Sequence, residues 1–277
     1  MKRYYDKLEE ITKGKKMGII SSIFREYDIR GTYPDELNEE VIEQIAFAIA
    51  KKCHKEGIGT LAVGRDGRLS GESLLTAFCK GLVKAGINVN NIGLVTSPLL
   101  YFAAKKEYSK SGVMITGSHN PKNYNGIKMV INDRPVAGTE ILSLIDNESK
   151  KSNISTDAEI TLTDIKENYI NEVLNNINIP KDKKLKVVLD SGNGAAGCIA
   201  PDLFKKLGFE VTELFSDVDG NFPNHHPDPG KIDNLKDLIS KVIEEKADVG
   251  LAFDGDGDRV GLVTNKGEVV FPDKLMM

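Results

Sequence analysis

Apolar residues three and four apart, at Val41, Ile42, Ile45 and Ile49, predict a helix that Asn38 can cap and Gly57 can end. The apolar run Thr60–Val63 then predicts a strand. Leu74, Leu75, Phe78, Leu82 and Val83 predict a second helix, between a capping Ser70 and a terminating Gly86. Val89–Val95 reads as a strand, and Ser97-Pro98 opens a third helix, because proline fits a first helical turn. Gly112–Thr116 and Gly126–Ile131 are further strands, and Gly138 to about Lys150 is a helix. After the polar run Ser149–Glu159 the pattern restarts. Helices are predicted over Ile165–Ile177, Ala195–Leu207 and Leu235–Glu245, and strands over Leu185–Leu189, Glu210–Leu214 and Val249–Phe253. A last strand, Val260–Thr264, enters a hairpin turning at Asn265-Lys266-Gly267.

Strands alternating with helices imply an α/β fold of two similar three-layer domains, with mostly parallel mixed sheets carrying helices on both faces. The polar run sets the expected boundaries at 1–160 and 161–270, with 271–277 the start of another element. Composition narrows the class without changing this picture. Hydrophobic residues make up 40% and charged residues 28% of the 277, ordinary for a folded globular chain. A net charge of -4 offers no basic field for nucleic acid, so an anionic ligand must be held by locally placed Arg and Lys. The polar start, Met1 to Lys16, has no apolar signal-like core, and no stretch approaches the roughly 20 apolar residues of a membrane span. Cys53, Cys79 and Cys198 are far apart and odd in number, which speaks against a disulfide framework. Together these point to a cytoplasmic chain.

The densest chemistry follows the strand Val249–Phe253, in Asp254-Gly255-Asp256-Gly257-Asp258-Arg259. Three carboxylates at i, i+2 and i+4 repel one another if they converge, and a divalent cation removes that penalty. The intervening glycines allow the tight backbone that convergence needs. Hard oxygen ligands suit Mg²⁺ or Mn²⁺. An EF-hand is excluded, because its sixth and twelfth positions would fall on Arg259 and Asn265. A phosphatase with a nucleophilic aspartate after a strand, and a merely solvated acidic turn, stay open.

A second loop, Thr116-Gly117-Ser118-His119-Asn120-Pro121, follows another apolar strand. A serine beside glycine at a strand end can stand exposed, as a phosphoryl carrier must, and phosphoserine would favour a neighbouring cation. Ser-His-Asn-Pro is equally a good turn sequence. A Ser-His-acid hydrolase is disfavoured, since no G-x-S-x-G surrounds Ser118. Arg25 and Arg30 lie in Phe24–Gly31, and Arg65 and Arg68 in the strand-to-helix loop of Val63–Ser70; Arg30, before a glycine turn, can clamp a phosphate or support the serine loop, and each of these arginine segments otherwise reads as surface ion pairing. Lys128 serves as acid or base if its pKa is lowered, and is otherwise an exposed strand lysine. His225-His226 sits in a proline-rich turn and reads as structural. Gly192, Gly194 and Gly197 read as a tight strand-to-helix turn rather than a dinucleotide loop.

Taken together, FREYDIRG at 24–31, VGRDGRLSG at 63–71, TGSHNP at 116–121, NGIK at 125–128, DSGNGAAG at 190–197, FPNHHPDP at 222–229 and DGDGDR at 254–259 resemble the α-D-phosphohexomutase superfamily, in its phosphomannomutase/phosphoglucomutase branch. The resemblance implies that Ser118 is a phosphoserine. It implies that Asp254, Asp256 and Asp258 hold Mg²⁺ together with a phosphoserine oxygen. Arg30 and Lys128 match positions of acid/base work or its support, and Tyr27, His119, Asn120 and Arg259 match positions lining the active site. The implied ligands are mannose or glucose 1- or 6-phosphate and hexose 1,6-bisphosphate, because FREYDIRG departs from the F-G-T-D-G-I-R-G of the glucosamine branch. Two further family loops, resembling G-E-M-S-G-H and R-x-S-G-T-E-P, are not among these residues; Val136–Glu140 resembles the second only faintly and reads as a helix start. The chain is accordingly expected to be the first two domains of a longer protein.

Overall fold

The computed structural model describes residues 20–107, 110–145, 157–179 and 184–275. Strands β1 (Ile29–Thr32), β2 (Thr60–Arg65), β3 (Asn88–Leu94), β4 (Gly112–Ile115), β5 (Tyr124–Ile131), β6 (Arg134–Pro135) and β7 (Ile160–Leu162) form one sheet. Its order is β1-β5-β4-β2-β3-β7, with β6 paired to β5. Strands β8 (Lys186–Asp190), β9 (Glu210–Leu214), β10 (Val249–Phe253), β11 (Val260–Thr264) and β12 (Val269–Val270) form a second, ordered β12-β11-β10-β8-β9.

The two sheets repeat one topology. In each, a first strand (β2, β8) is followed by a parallel neighbour on one side (β3, β9) and then a parallel neighbour on the other (β4, β10). An antiparallel strand returns beside the last (β5, β11) and continues into a short hairpin partner (β6, β12). The chain thus reverses its direction of progress across the sheet at β2 and at β8. Crevices at the carboxyl ends of strands at such a reversal are where open α/β sheets place ligand loops. The serine loop leaves the carboxyl end of β4, and the aspartate loop leaves that of β10.

Helices cover both faces of each sheet. On the first, α1 (Glu39–Lys55) and α2 (Gly71–Lys84) bury Ile42, Ile45, Ile49, Leu74, Phe78 and Leu82 against Val63, Val113, Ile115 and Ile127. On its other face α3 (Ser97–Glu107) buries Leu99, Leu100 and Ala103 against Ala62 and Met114. A short α4 (Gly138–Leu142) starts at the predicted place. The end of that predicted helix, 146–150, and most of the polar run 149–159, lie outside the described residues. The strand β7 pairs with β3, and α5 (Lys166–Asn176) puts Ile170 into the same cluster as Leu99, so both elements pack on the first sheet. In the second sheet Val188, Ala252 and Val263 face α7 (Lys236–Glu245), while Val187 and Leu189 face α6 (Ala200–Lys206). That alternation is the period-two signature of strands buried on both faces.

Asn38 caps α1 as predicted, its side chain accepting from the Val41 amide, and Gly57 and Gly86 take the positive φ of helix ends. Ser70 does not cap α2: its own φ/ψ is helical, and its hydroxyl instead accepts from Asn125. The predicted helix Ala195–Leu207 is broken at Ile199 (φ -144°) into a 3-10 turn, Ala195–Cys198, and α6. Pro201 offers no amide to continue the earlier turn and starts a new helix instead. Two strands, β1 and β7, carry little periodic pattern of their own and form because β5 and β3 present edges to them.

Candidate active site

Ser118, at the carboxyl end of β4, has φ of 50°, a left-handed conformation that non-glycine residues adopt at a cost. Its amide donates to Thr116 Oγ1 (2.8 Å), and that hydroxyl donates to Asp66 Oδ2 (2.7 Å), which also accepts from the Gly117 amide (3.1 Å). Beneath the loop lies Arg68, with a fully buried side chain. Its guanidinium donates to the carbonyls of Ser118 (2.7 Å), Asn120 (2.7 Å), Pro121 (2.6 Å) and Tyr124 (2.8 Å), and to Asp66 Oδ2 (3.2 Å). One arginine therefore serves four carbonyls, three in the tight turn and one at the start of β5. Gly117 has no side chain because a Cβ there would overlap this guanidinium.

The aspartate loop meets the serine loop backbone to backbone. A Cβ on Gly255 would overlap the Ser118 carbonyl oxygen, so only glycine admits this approach. Ser118 Oγ donates to Asp254 Oδ2 (3.0 Å), while Asp254 Oδ1 accepts from the amides of Asp258 and Arg259 (3.1 Å each). Asp256 Oδ2 accepts from Ser97 Oγ (2.5 Å) and from Lys128 Nζ (2.7 Å), and the same ammonium reaches Asp258 Oδ2 (2.6 Å). One carboxylate oxygen from each aspartate lies within 4.8 Å of the others, and the buried Asp256 Oδ1 has no hydrogen-bond partner among the described residues. Burial, and then the charges of Asp256 and Asp258, push the Asp254 carboxyl up to about 8. Three converging carboxylates, one with an orphaned buried oxygen, are a donor set that fits a hard divalent cation such as Mg²⁺.

Three expectations need correction. Ser118 is not exposed but only 1% accessible, because the second domain's loop closes over the strand end. The Lys128 pKa is raised, not lowered: burial alone would depress it, but Asp256 and Asp258 outweigh burial and hold the ammonium. Arg68 is no surface ion pair but the hub of the serine loop, whereas Arg65 does pair with Glu72 (3.9 Å).

The other candidates divide. His119 Nδ1 lies 3.3 Å from Ser118 Oγ, and burial, then Arg259 and Arg30, lowers its pKa, so the ring is neutral near pH 7. Arg30 has a largely buried side chain that pairs with Asp28, with Nε left without a partner among the described residues. Asn120 closes the loop, its amide and side chain both donating to the Gly117 carbonyl (3.0 and 3.1 Å). Arg259 reaches Asp254 through its amide, with its side chain exposed. Tyr27 is 86% exposed in the turn before β1 and takes no part in these hydrogen bonds. Sequence reasoning missed Asp66, Thr116 and Ser97. The i, i+2 spacing of Asp66 and Arg68 after an apolar strand was the available signal, but arginine is by default an exposed residue.

The His225-His226 turn is strongly polarised. His225 Nε2 faces both oxygens of the buried Asp190 (3.0 and 3.1 Å), and Nδ1 donates to the His226 carbonyl (3.1 Å). Burial opposes protonation there, but the Asp190 carboxylate outweighs it, so the His225 pKa is raised. A folded pKa above the unfolded value of about 6.5 gives stability that is complete below 6.5 and lost as pH rises through the folded value. The difference in urea midpoint between wild type and His225→Gln is therefore expected to shrink as pH rises above 6.5. A constant difference from pH 5.5 to 8.5 would reject this account.

Two α/β domains of one topology, each delivering a loop to a shared cleft, define the class of the phosphohexomutases. The family model for phosphoglucomutase/phosphomannomutase α/β/α domain I matches residues 21–153, and that for α/β/α domain II matches residues 167–267. The chain belongs to the phosphoglucomutase/phosphomannomutase family. It is 51% identical over 256 residues to a phosphomannomutase/phosphoglucomutase of Pseudomonas putida, a match covering 92% of this chain and 55% of the relative. To a phosphoglucomutase of Neisseria gonorrhoeae it is 46% identical over 261 residues, covering 94% of this chain and 56% of the relative. A crystal structure of a phosphoglucomutase/phosphomannomutase family protein from Burkholderia thailandensis superposes with a TM-score of 0.86 at 41% identity, covering 92% of this chain and 57% of that one. The chain thus spans about half the length of the relatives it matches. Among the described residues no helix is long and apolar enough to cross a membrane.

Proposed function

We propose that this chain is the phosphoryl-carrying portion of a phosphomannomutase/phosphoglucomutase that interconverts hexose 1-phosphate and hexose 6-phosphate. The observation that carries the reading is the 3.0 Å contact of Ser118 Oγ with Asp254 Oδ2, which joins the serine loop of one sheet to the acidic loop of the other. In the first half-reaction the bond from Ser118 Oγ to phosphorus breaks as a sugar hydroxyl oxygen bonds to phosphorus. The hydroxyl proton leaves and the serine oxygen takes one up. A hexose 1,6-bisphosphate results, turns in the cleft, and returns its other phosphoryl to Ser118. Phosphoryl transfer asks mainly for positioning and charge neutralisation.

Asp254, Asp256 and Asp258, with an oxygen of phosphorylated Ser118, would hold Mg²⁺, which when bound supplies the positive charge that stabilises the transferring group. Lys128 Nζ, 3.5 Å from Ser118 Oγ and held as an ammonium, would protonate the departing serine oxygen, and taking up a proton requires it to lose one first. Arg30 contributes a fixed positive charge. Tyr27, His119, Asn120 and Arg259 line the cleft for a mannose or glucose phosphate. Multiple turnover by these 277 residues alone is expected to be poor, since neither of the two family loops that resemble G-E-M-S-G-H and R-x-S-G-T-E-P is among them.

The test is intact-mass measurement after incubation with glucose 1,6-bisphosphate and Mg²⁺. One added phosphate is expected, lost in Ser118→Ala. No adduct would favour a metal-dependent phosphosugar-binding module. Continuous release of phosphate that depends on Asp254 and not on Ser118 would favour a phosphatase.

A further inference from the structure

Every backbone carbonyl of the serine loop from Gly117 to Pro121 accepts a hydrogen bond. Those of Gly117, Ser118, Asn120 and Pro121 are served from within the first domain, by Asn120 and by Arg68. The His119 carbonyl is different. It accepts from His226 Nε2 at 2.6 Å, and His226 belongs to the loop between β9 and α7 of the second domain. A carbonyl oxygen only accepts, so Nε2 carries the proton.

The backbone of His226 is itself fixed. Its carbonyl accepts from His225 Nδ1, and His225 is oriented by the two oxygens of Asp190. The edge of the Phe215 ring packs on the His225 imidazole, with centroids 5.4 Å apart. Asp190 ends β8, which lies beside β10, the strand that carries Asp254. A continuous series of contacts therefore runs from the strand next to the aspartate loop to the carbonyl next to Ser118. It acts on a loop whose central residue, Ser118, is held at a costly positive φ.

We infer that His226 is a positioning residue for phosphoryl transfer: from the second domain, it holds the His119 peptide so that Ser118 Oγ stays in register with Asp254. The inference rests on the reading of Ser118 as the phosphoryl carrier. His226 does not touch the reacting atoms, so removing it should slow transfer and leave sugar-phosphate binding nearly unchanged. A structural contact without this role would alter stability but not the rate of a folded chain.

The experiment follows single phosphoryl uptake from glucose 1,6-bisphosphate with Mg²⁺ by intact mass, over a range of bisphosphate concentrations. The wild-type chain is compared with His226→Ala and His226→Gln. Alanine is expected to lower the maximal uptake rate about tenfold, the worth of one positioned hydrogen bond, and to leave half-saturation within about twofold. Glutamine, whose amide can still donate to the His119 carbonyl, is expected to stay within about threefold of wild type. Should the alanine chain not fold, His226→Leu fills the space without a donor and is judged by the same criterion. Uptake at the wild-type rate without a donor, or a glutamine chain as slow as the donor-free one, overturns the inference alone. A wild-type chain that takes up no phosphate overturns the reading of Ser118 and this inference together.

Discussion

Replacing Arg68 by methionine is expected to destabilise the chain by about 3–5 kcal/mol, the range for removing one partner of a buried charge pair. The volume is nearly kept, so the loss comes from unmet polar groups and not from a cavity. Asp66 loses its buried cation, and the carbonyls of Ser118, Asn120, Pro121 and Tyr124 lose their guanidinium donors together. Each such group left buried without a partner costs about 1–3 kcal/mol unless water reaches it. The Phe222 ring, stacked 5.5 Å from the guanidinium carbon, loses a cation–π contact between the domains as well. Urea denaturation measures the effect, and a loss below 1 kcal/mol would show that the clamp is dispensable. Lysine is a poor substitute, because one ammonium cannot reproduce a planar fork that serves five acceptors.

The second large effect concerns Asp256. In the wild-type chain, Mg²⁺ is expected to raise the thermal unfolding midpoint, since it binds the folded state, where the three carboxylates converge. Asp256→Asn keeps the shape of the side chain and removes the charge and the orphaned anionic oxygen. Affinity for Mg²⁺, read by thermal shift or by Mn²⁺ competition, is expected to fall about 100-fold or more, beyond the 10- to 100-fold typical of groups that only orient ligands. Phosphoryl uptake by Ser118 should fall with it. A variant whose midpoint still rises with Mg²⁺ as in wild type would remove Asp256 from the metal site. The substitution also takes one of two carboxylates from Lys128, so the lysine should become easier to deprotonate.

Much of the fold was legible because local patterning and tertiary packing agree. The Asn38 cap, the apolar stripe of α1 and the strands β10 and β11 lie where period and capping chemistry place them. Not read from the sequence were β1, β7 and the break at Ile199, where a neighbouring strand edge or a proline decides the local structure. The acidic loop was the most legible part of the site, because three aspartates spaced by glycines after a buried strand restrict the chemistry by themselves. The serine loop was legible only in company, since its residues also make a good turn.

By itself, the sequence determined that two α/β units would form and that a serine loop and an acidic loop would each end a buried strand. It did so because those features depend on residues adjacent in the chain. The tertiary structure decided the rest: the burial of Ser118, the sign of the Lys128 pKa shift, the role of Arg68 as a carbonyl clamp and the reach of His226 to the His119 carbonyl. These depend on which strand ends face each other across the two sheets. Arg68 meets Ser118 across 50 residues, Lys128 meets Asp256 across 128, and His226 meets His119 across 107. A pKa or a hydrogen bond is set by distance in space and by the water excluded there, and sequence spacing carries neither quantity.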